Sequence, residues 1–178
     1  MSKYKIKIGF SKSTKKSAIL SDLIRFVEGV DFSHVYISFT ASKIDRCLIY
    51  HADSKGVAFL SKTNFLKTNK IIDEFEIEVS EFVYHNVLRR CVDLAGSSYN
   101  FKHLFCLGLR RLLGMIGINV RRIFNTNYSR FICSVLVADV VFARTGALKK
   151  HNISKNTHYR DLSPREIYEM LNKIKDNL

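Results

Sequence analysis

Two segments of this chain alternate apolar and charged residues with a period of two, and that pattern sets the class of fold open to it. Tyr4, Ile6, Ile8 and Phe10 are interleaved with Lys3, Lys5 and Lys7, and Phe75, Ile77 and Val79 with Glu74, Glu76 and Glu78. Successive side chains of a strand point to opposite faces, so each segment reads as a strand with one apolar face. Phe32 to Phe39, Cys47 to His51 and Gly56 to Leu60 read as three shorter strands in a meander. Elsewhere the period is helical. Ala18, Ile19, Leu20, Leu23, Ile24, Phe26 and Val27 share a helix that Gly29 stops, and Phe82, Val83, Val87, Leu88, Cys91 and Leu94 share another that ends at Gly96. A helix-rich stretch from about Phe101 to Gly117 and a buried helix from Ile132 to Ala143 follow. The last helix carries a strong start signal: Ser163 as N-cap, Pro164 at the first helical position and Glu166 closing a capping box. The pattern predicts an α+β fold, an antiparallel sheet packed against helices, over residues 1–178 as a single domain.

The 178 residues, 47% of them hydrophobic, suffice for a sizeable core and exclude disorder, collagen and tandem repeats. The cysteines at 47, 91, 106 and 133 form no CxxC pair, so reduced thiols in a cytosol-like compartment are expected. MSKYKIKIGF lacks the continuous apolar core of a signal peptide. Phe101 to Val120 carries Lys102, His103, Arg110 and Arg111, which argues against a transmembrane span and is compatible with a basic amphipathic helix on an anionic surface. The net charge of +13 is unevenly spread: lysines 3, 5, 7, 12, 15 and 16 fall in an acid-free run from Met1 to Ser21, and five arginines with Lys102 in another from Leu94 to Ala138. An anionic partner (lipid, cell-wall polymer or nucleic acid) and plain solubility both account for this. Zinc-finger, RNP and P-loop motifs are absent.

Cysteine with histidine is the natural place to look for chemistry, because thiolate is the nucleophile and imidazole its usual base. Cys133 and Ser134 open an apolar helix, whose partial positive charge favours a thiolate. A small core cysteine is the competing reading, and it is the preferred one for Cys47, Cys91 and Cys106. His34 opens one strand and His51 closes the next, so a tight meander brings both to one end of the sheet. His85, His103, His151 and His158 read as surface residues.

Ser33-His34-Val35, Ile49-Tyr50-His51-Ala52 followed by Gly56-Val57, Gly96-Ser97-Ser98-Tyr99-Asn100-Phe101, Cys133-Ser134-Val135-Leu136-Val137 and Leu162-Ser163-Pro164 occur in that order. In this the chain resembles the circularly permuted, papain-like NlpC superfamily (YiiX-like cysteine hydrolases) from Gly9 to about Ile167. The resemblance implies a permuted papain-like fold with Cys133 as nucleophile, His34 as general base and His51 in the third, orienting position. Many relatives carry Glu at that third position, and Asp53 is the alternative here. Tyr99 or Tyr128 and the N–H groups at the start of the Cys133 helix, including Ser134, would then meet substrate or the oxyanion. No metal or cofactor is required.

Three functions follow as expectations. The first is a cysteine amidase or peptidase that cleaves a peptide, isopeptide or other acyl substrate through an acyl-enzyme. The second is an esterase or acyltransferase at a lipid surface, as in lecithin-retinol-acyltransferase-like relatives. The third is a basic, non-catalytic binding protein that retains the fold. The expected location is cytoplasmic.

Overall fold

A computed structural model describes residues 3–15, 19–41, 46–99, 113–114, 133–142 and 162–176. Along the chain these are β1 (Lys3–Ser13), α1 (Ile19–Glu28), β2 (His34–Ala41), β3 (Arg46–Asp53), β4 (Gly56–Ser61), α2 (Lys62–Leu66), β5 (Asn69–Ser80), α3 (Glu81–Leu94), α4 (Cys133–Val137) and α5 (Pro164–Asp176). Helix α4 runs on directly into a π-helical turn, Ala138–Phe142. The five strands form one antiparallel sheet in the order β4-β3-β2-β1-β5, and the fold is α+β as the alternation predicts.

The apolar faces of the strands meet the helices on one side. Ile6, Ile8 and Phe10 of β1 and Val35, Ile37 and Phe39 of β2 pack in one cluster with Val87 and Cys91 of α3, Leu136 and Val137 of α4, and Ile167 and Leu171 of α5. Each such side chain removed from water contributes roughly 1.5 to 3 kcal/mol, so this face organises the sheet. The start signals act as the residue types dictate. Ser80 Oγ accepts the Val83 N–H ahead of α3, Ser163 Oγ accepts the Glu166 N–H, and the Ser163 N–H donates back to Glu166 Oε2 at 2.8 Å.

The other face of the sheet is mixed. Lys5 and Lys7 stand opposite Glu78 and Glu76, and both lysines reach Glu76, at 2.6 and 3.8 Å. Lys12 pairs with Asp31 at 2.7 Å. Three of the six lysines in the N-terminal run, acid-free in sequence, are therefore paired in space with carboxylates from β5 and the loop before β2. Closer to β4, helix α2 lays Phe65 on Tyr36 and Ile49 to form a second, smaller apolar cluster. This five-residue helix was not expected from the sequence. Most strands run one to three residues beyond their expected ends, because antiparallel pairing rewards extension past the apolar positions, while β2 begins at His34 rather than Phe32.

One irregularity positions the site. The β2–β3 ladder begins at Ile37↔Tyr50, whereas β1 pairs with β2 as far as His34 and β3 pairs with β4 as far as Asp53. The segments 34–36 and 51–53 therefore part from each other at one end of the sheet. Beside this opening, Gly56 at φ +116° allows a close approach: a Cβ there would stand 2.7 Å from the Ser97 carbonyl oxygen. Val57 N–H donates to that oxygen at 2.9 Å, and Gly96 N–H donates to the Val57 carbonyl at 2.8 Å. These bonds fix the turn that carries Tyr99.

Candidate active site

Alternation along β2 decides where each group points. Val35 belongs to the core cluster that includes Cys133, while Tyr36 belongs to the cluster of Phe65, whose ring His34 also contacts. Register carries the same assignment to β3, where Ala52 lies on the core side and His51 meets His34 and Phe65 on the α2 side. Nε2 of His34 and Nδ1 of His51 are 3.2 Å apart, with the rings at 88°. Phe65 covers both, parallel to His34 within 29° and edge-on to His51 at a centroid distance of 5.4 Å.

Burial controls the protonation of this pair. Loss of water, and then repulsion from His51, pushes His34 down to about 3. Burial lowers His51 as well, against an upward pull from the Asp53 carboxylate. Both imidazoles are neutral at physiological pH, so one donates to the other through a single shared proton.

Cys133 is the first residue of α4, buried at 5% exposure. The backbone N–H of Val35, with those of Ser134 and Cys133 itself, favours a thiolate at its sulfur, yet burial outweighs them and pushes the thiol up. The helix end thus acts in the expected direction, but desolvation is the larger effect and the resting group is a neutral thiol. The Val35 amide is the peptide unit joining His34 to Val35, so the sulfur sits beside the backbone of the histidine. Among the described residues it makes no hydrogen bond to either imidazole: the His34 ring leaves the strand toward α2 and the thiol approaches from α4. The opening between β2 and β3 lies between them.

Tyr99 is half-buried beside this opening. Burial raises its phenol well above the usual range, and negative charge on Cys133 or Asp53 acts the same way, which places the ring near both. Asp53 uses Oδ1 to accept the Lys55 N–H at 2.8 Å, closing the β3–β4 turn, and the partner of His34 is His51. The Ser134 hydroxyl is fully buried and has no hydrogen-bond partner among the described residues. What Ser134 offers the sulfur is its amide rather than its hydroxyl. Cys91 is buried in α3 with its thiol pushed far up, and Cys47 is half-buried 3.0 Å from the Ser38 hydroxyl. Cys106 and Tyr128, and all of the arginine-rich stretch from Phe101 to Arg122 except 113–114, lie outside the described residues.

Two components of the site escaped the sequence reading: the Val35 amide and Phe65. A backbone group leaves no mark on composition. Phe65 had a faint signal in Ser61, whose Oγ accepts the Asn64 N–H at 3.2 Å and caps α2. Among the described residues no group of three or more His, Cys, Asp or Glu side chains is placed to share a metal ion, and no helix is long and apolar enough to cross a membrane. Comparison of the chain with protein-family models and with curated proteins finds no match.

Proposed function

We propose that this chain is a cysteine hydrolase of amidase or peptidase type on a permuted papain-like fold, with Cys133 as nucleophile, His34 as general base and His51 as the group that orients it. The observation that supports the reading is that Cys133 opens α4 close enough to the Val35 amide for that N–H to act on its sulfur, and that Val35 follows a histidine whose Nε2 is engaged by His51. With His34 donating its Nε2 proton to His51, the lone pair on Nδ1 remains for the thiol proton. For the dyad to form, Nδ1 of His34 and the Cys133 sulfur have to meet through the opening between β2 and β3, which needs the side chains to move from the positions described. Hydrogen bonds of this kind commonly tighten only once substrate is bound.

Since both partners rest uncharged, His34 acts as a base in the attacking step rather than in a preformed ion pair. It removes the thiol proton as sulfur bonds to the acyl carbon, and the carbonyl electrons move to oxygen. The N–H groups of Cys133 and Ser134, with Tyr99 across the opening, are the candidate donors to that oxyanion. Collapse expels the amine, which takes the proton from His34. Water, deprotonated by His34, then cleaves the thioester to a carboxylic acid and regenerates the thiol. The substrate class is a peptide, isopeptide or related acyl compound.

The ion pairs of Lys5, Lys7 and Lys12 reduce the case for a binding protein that works through its N-terminal lysines. A lipid-surface esterase remains the alternative on the chemistry alone, since ester and amide pass through the same intermediate. Hydrolysis of peptidoglycan fragments, isopeptides and phospholipids, each with a Cys133→Ala control, tests the reading. Turnover of the first two that the substitution abolishes supports it, and turnover of phospholipid alone favours the alternative.

A further inference from the structure

Helix α2 is too short to contribute much by itself, yet its one buried residue lies against the histidine pair. Phe65 is 0% exposed while its neighbours Asn64 and Leu66 are exposed, so the helix presents a single ring to the sheet. That ring meets His34 at a centroid distance of 6.2 Å, His51 at 5.4 Å and Tyr36 at 4.9 Å. Its placement is enforced from both ends. Ser61 caps the start of α2, and the Asn69 side chain donates to the Phe65 carbonyl at 3.2 Å. The sheet is open beside the pair, because β2 and β3 do not pair there. His51 is buried and His34 half-buried, and without the ring both imidazoles would be further exposed to water from the α2 side.

We propose that Phe65 is a positioning residue that keeps water off the His34–His51 pair and holds the two rings in mutual hydrogen-bonding geometry. It touches no reacting atom and acts through His34, so the inference rests on the hydrolase reading for its consequence to catalysis but not for its effect on the pair. Among the described residues, the ionisable groups around the pair are Cys133 from α4, Asp53 from β3, Tyr36 from β2, Glu74 of β5 hydrogen-bonded to the Tyr36 hydroxyl at 2.9 Å, and Tyr99. None of these described groups is a cation placed against the imidazoles. Lys62 is drawn toward Glu74 at 3.7 Å. Removal of the ring therefore acts on the histidines through hydration, and hydration favours their charged forms.

The test is the pH titration of the histidine ring protons by NMR in the full chain and in Phe65→Ala, Phe65→Val and Phe65→Leu, with exposed His85 as internal reference. The expected result is that Phe65→Ala moves the His34 midpoint up by about one pH unit or more, Phe65→Val by less, and Phe65→Leu least, while His85 stays fixed. If the alanine variant does not fold, the ordering of valine above leucine carries the same prediction. A His34 midpoint that is unchanged in the folded variants overturns the inference. These titrations need no substrate, so they separate failure of this inference from failure of the hydrolase reading, which would show as normal titrations in a chain without turnover.

Discussion

His34 presents Nε2 to Nδ1 of His51 at 3.2 Å, and in the proposed mechanism this contact leaves Nδ1 of His34 as the nitrogen that takes the thiol proton. With Nε2 engaged, Nδ1 of His34 is the nitrogen with no hydrogen bond among the described residues. It is the nitrogen nearer its own backbone, and so nearer the Val35 amide that acts on the Cys133 sulfur. The order of events in the proposed reaction follows from that geometry.

If the proposed roles hold, losing His34 as base and losing His51 as the orienting group should differ in size. His34→Ala is expected to lower kcat by about 100-fold or more, since it removes proton transfer itself. His51→Ala is expected to cost less, because a free imidazole still samples the productive orientation. Steady-state kinetics on any substrate that the chain hydrolyses checks the ranking, and equal losses would assign His51 a larger share than orientation.

The neutral resting state of Cys133 has a chemical signature. A thiolate–imidazolium pair reacts with iodoacetamide at a constant rate across neutral pH, whereas a thiol pushed up by burial reacts faster with every rise in pH. Cys133 is expected to show the second behaviour, read by mass spectrometry of alkylated peptides. A plateau between about pH 5 and 8 would show that binding energy from the amides exceeds the cost of burial.

Acid should weaken the fold through His34. The group stays neutral in the folded chain until about pH 3, while in the unfolded chain it takes a proton below the ordinary value of 6.5. Through that window the unfolded state holds more protons, so stability rises with pH. The contribution is complete above 6.5 and is lost progressively toward 3. Urea midpoints measured across the window should fall with acid in the natural chain and fall less in His34→Gln. Parallel slopes in the two would remove His34 from the account.

Gly56 is expected to tolerate no side chain. Its φ of +116° is unfavourable for L residues, and a Cβ would stand 2.7 Å from the Ser97 oxygen. Gly56→Ala should cost about 2 kcal/mol in denaturant unfolding and displace the turn that carries Tyr99. A stability within about 0.5 kcal/mol of the natural chain would mean that the turn moves freely.

Much of this arrangement can be read from residue types, and the rest cannot, for identifiable reasons. Apolar alternation at Tyr4 to Phe10 and Phe75 to Val79 marks strands because the pleat has period two. Ser80, Ser163 and Glu166 mark helix starts because orphan amides need acceptors. His34 and His51 could be placed at neighbouring strand ends, since a tight meander leaves few alternatives. The side of the sheet that each histidine faces depends on where the β2–β3 ladder stops, and no local pattern encodes that. Helix α2 spans less than two turns, too few for a helical period to emerge. Charge was misleading in one dimension: Lys5 and Lys7 look unopposed until β5 brings Glu76 beside them. The π-helical turn after Val137 breaks the spacing that had suggested a plain helix as far as Ala143.

The central claim is that Cys133 carries an acyl group with His34 as its base, and acyl transfer from p-nitrophenyl acetate tests it without knowledge of the natural substrate. The experiment is peptide mass spectrometry after brief exposure at neutral pH. The expected result is a hydroxylamine-labile acetyl group on Cys133, absent in Cys133→Ala and formed about 100-fold more slowly in His34→Ala. Acetylation confined to Cys47 and surface lysines, or a Cys133 adduct that forms at the same rate without His34, would contradict it.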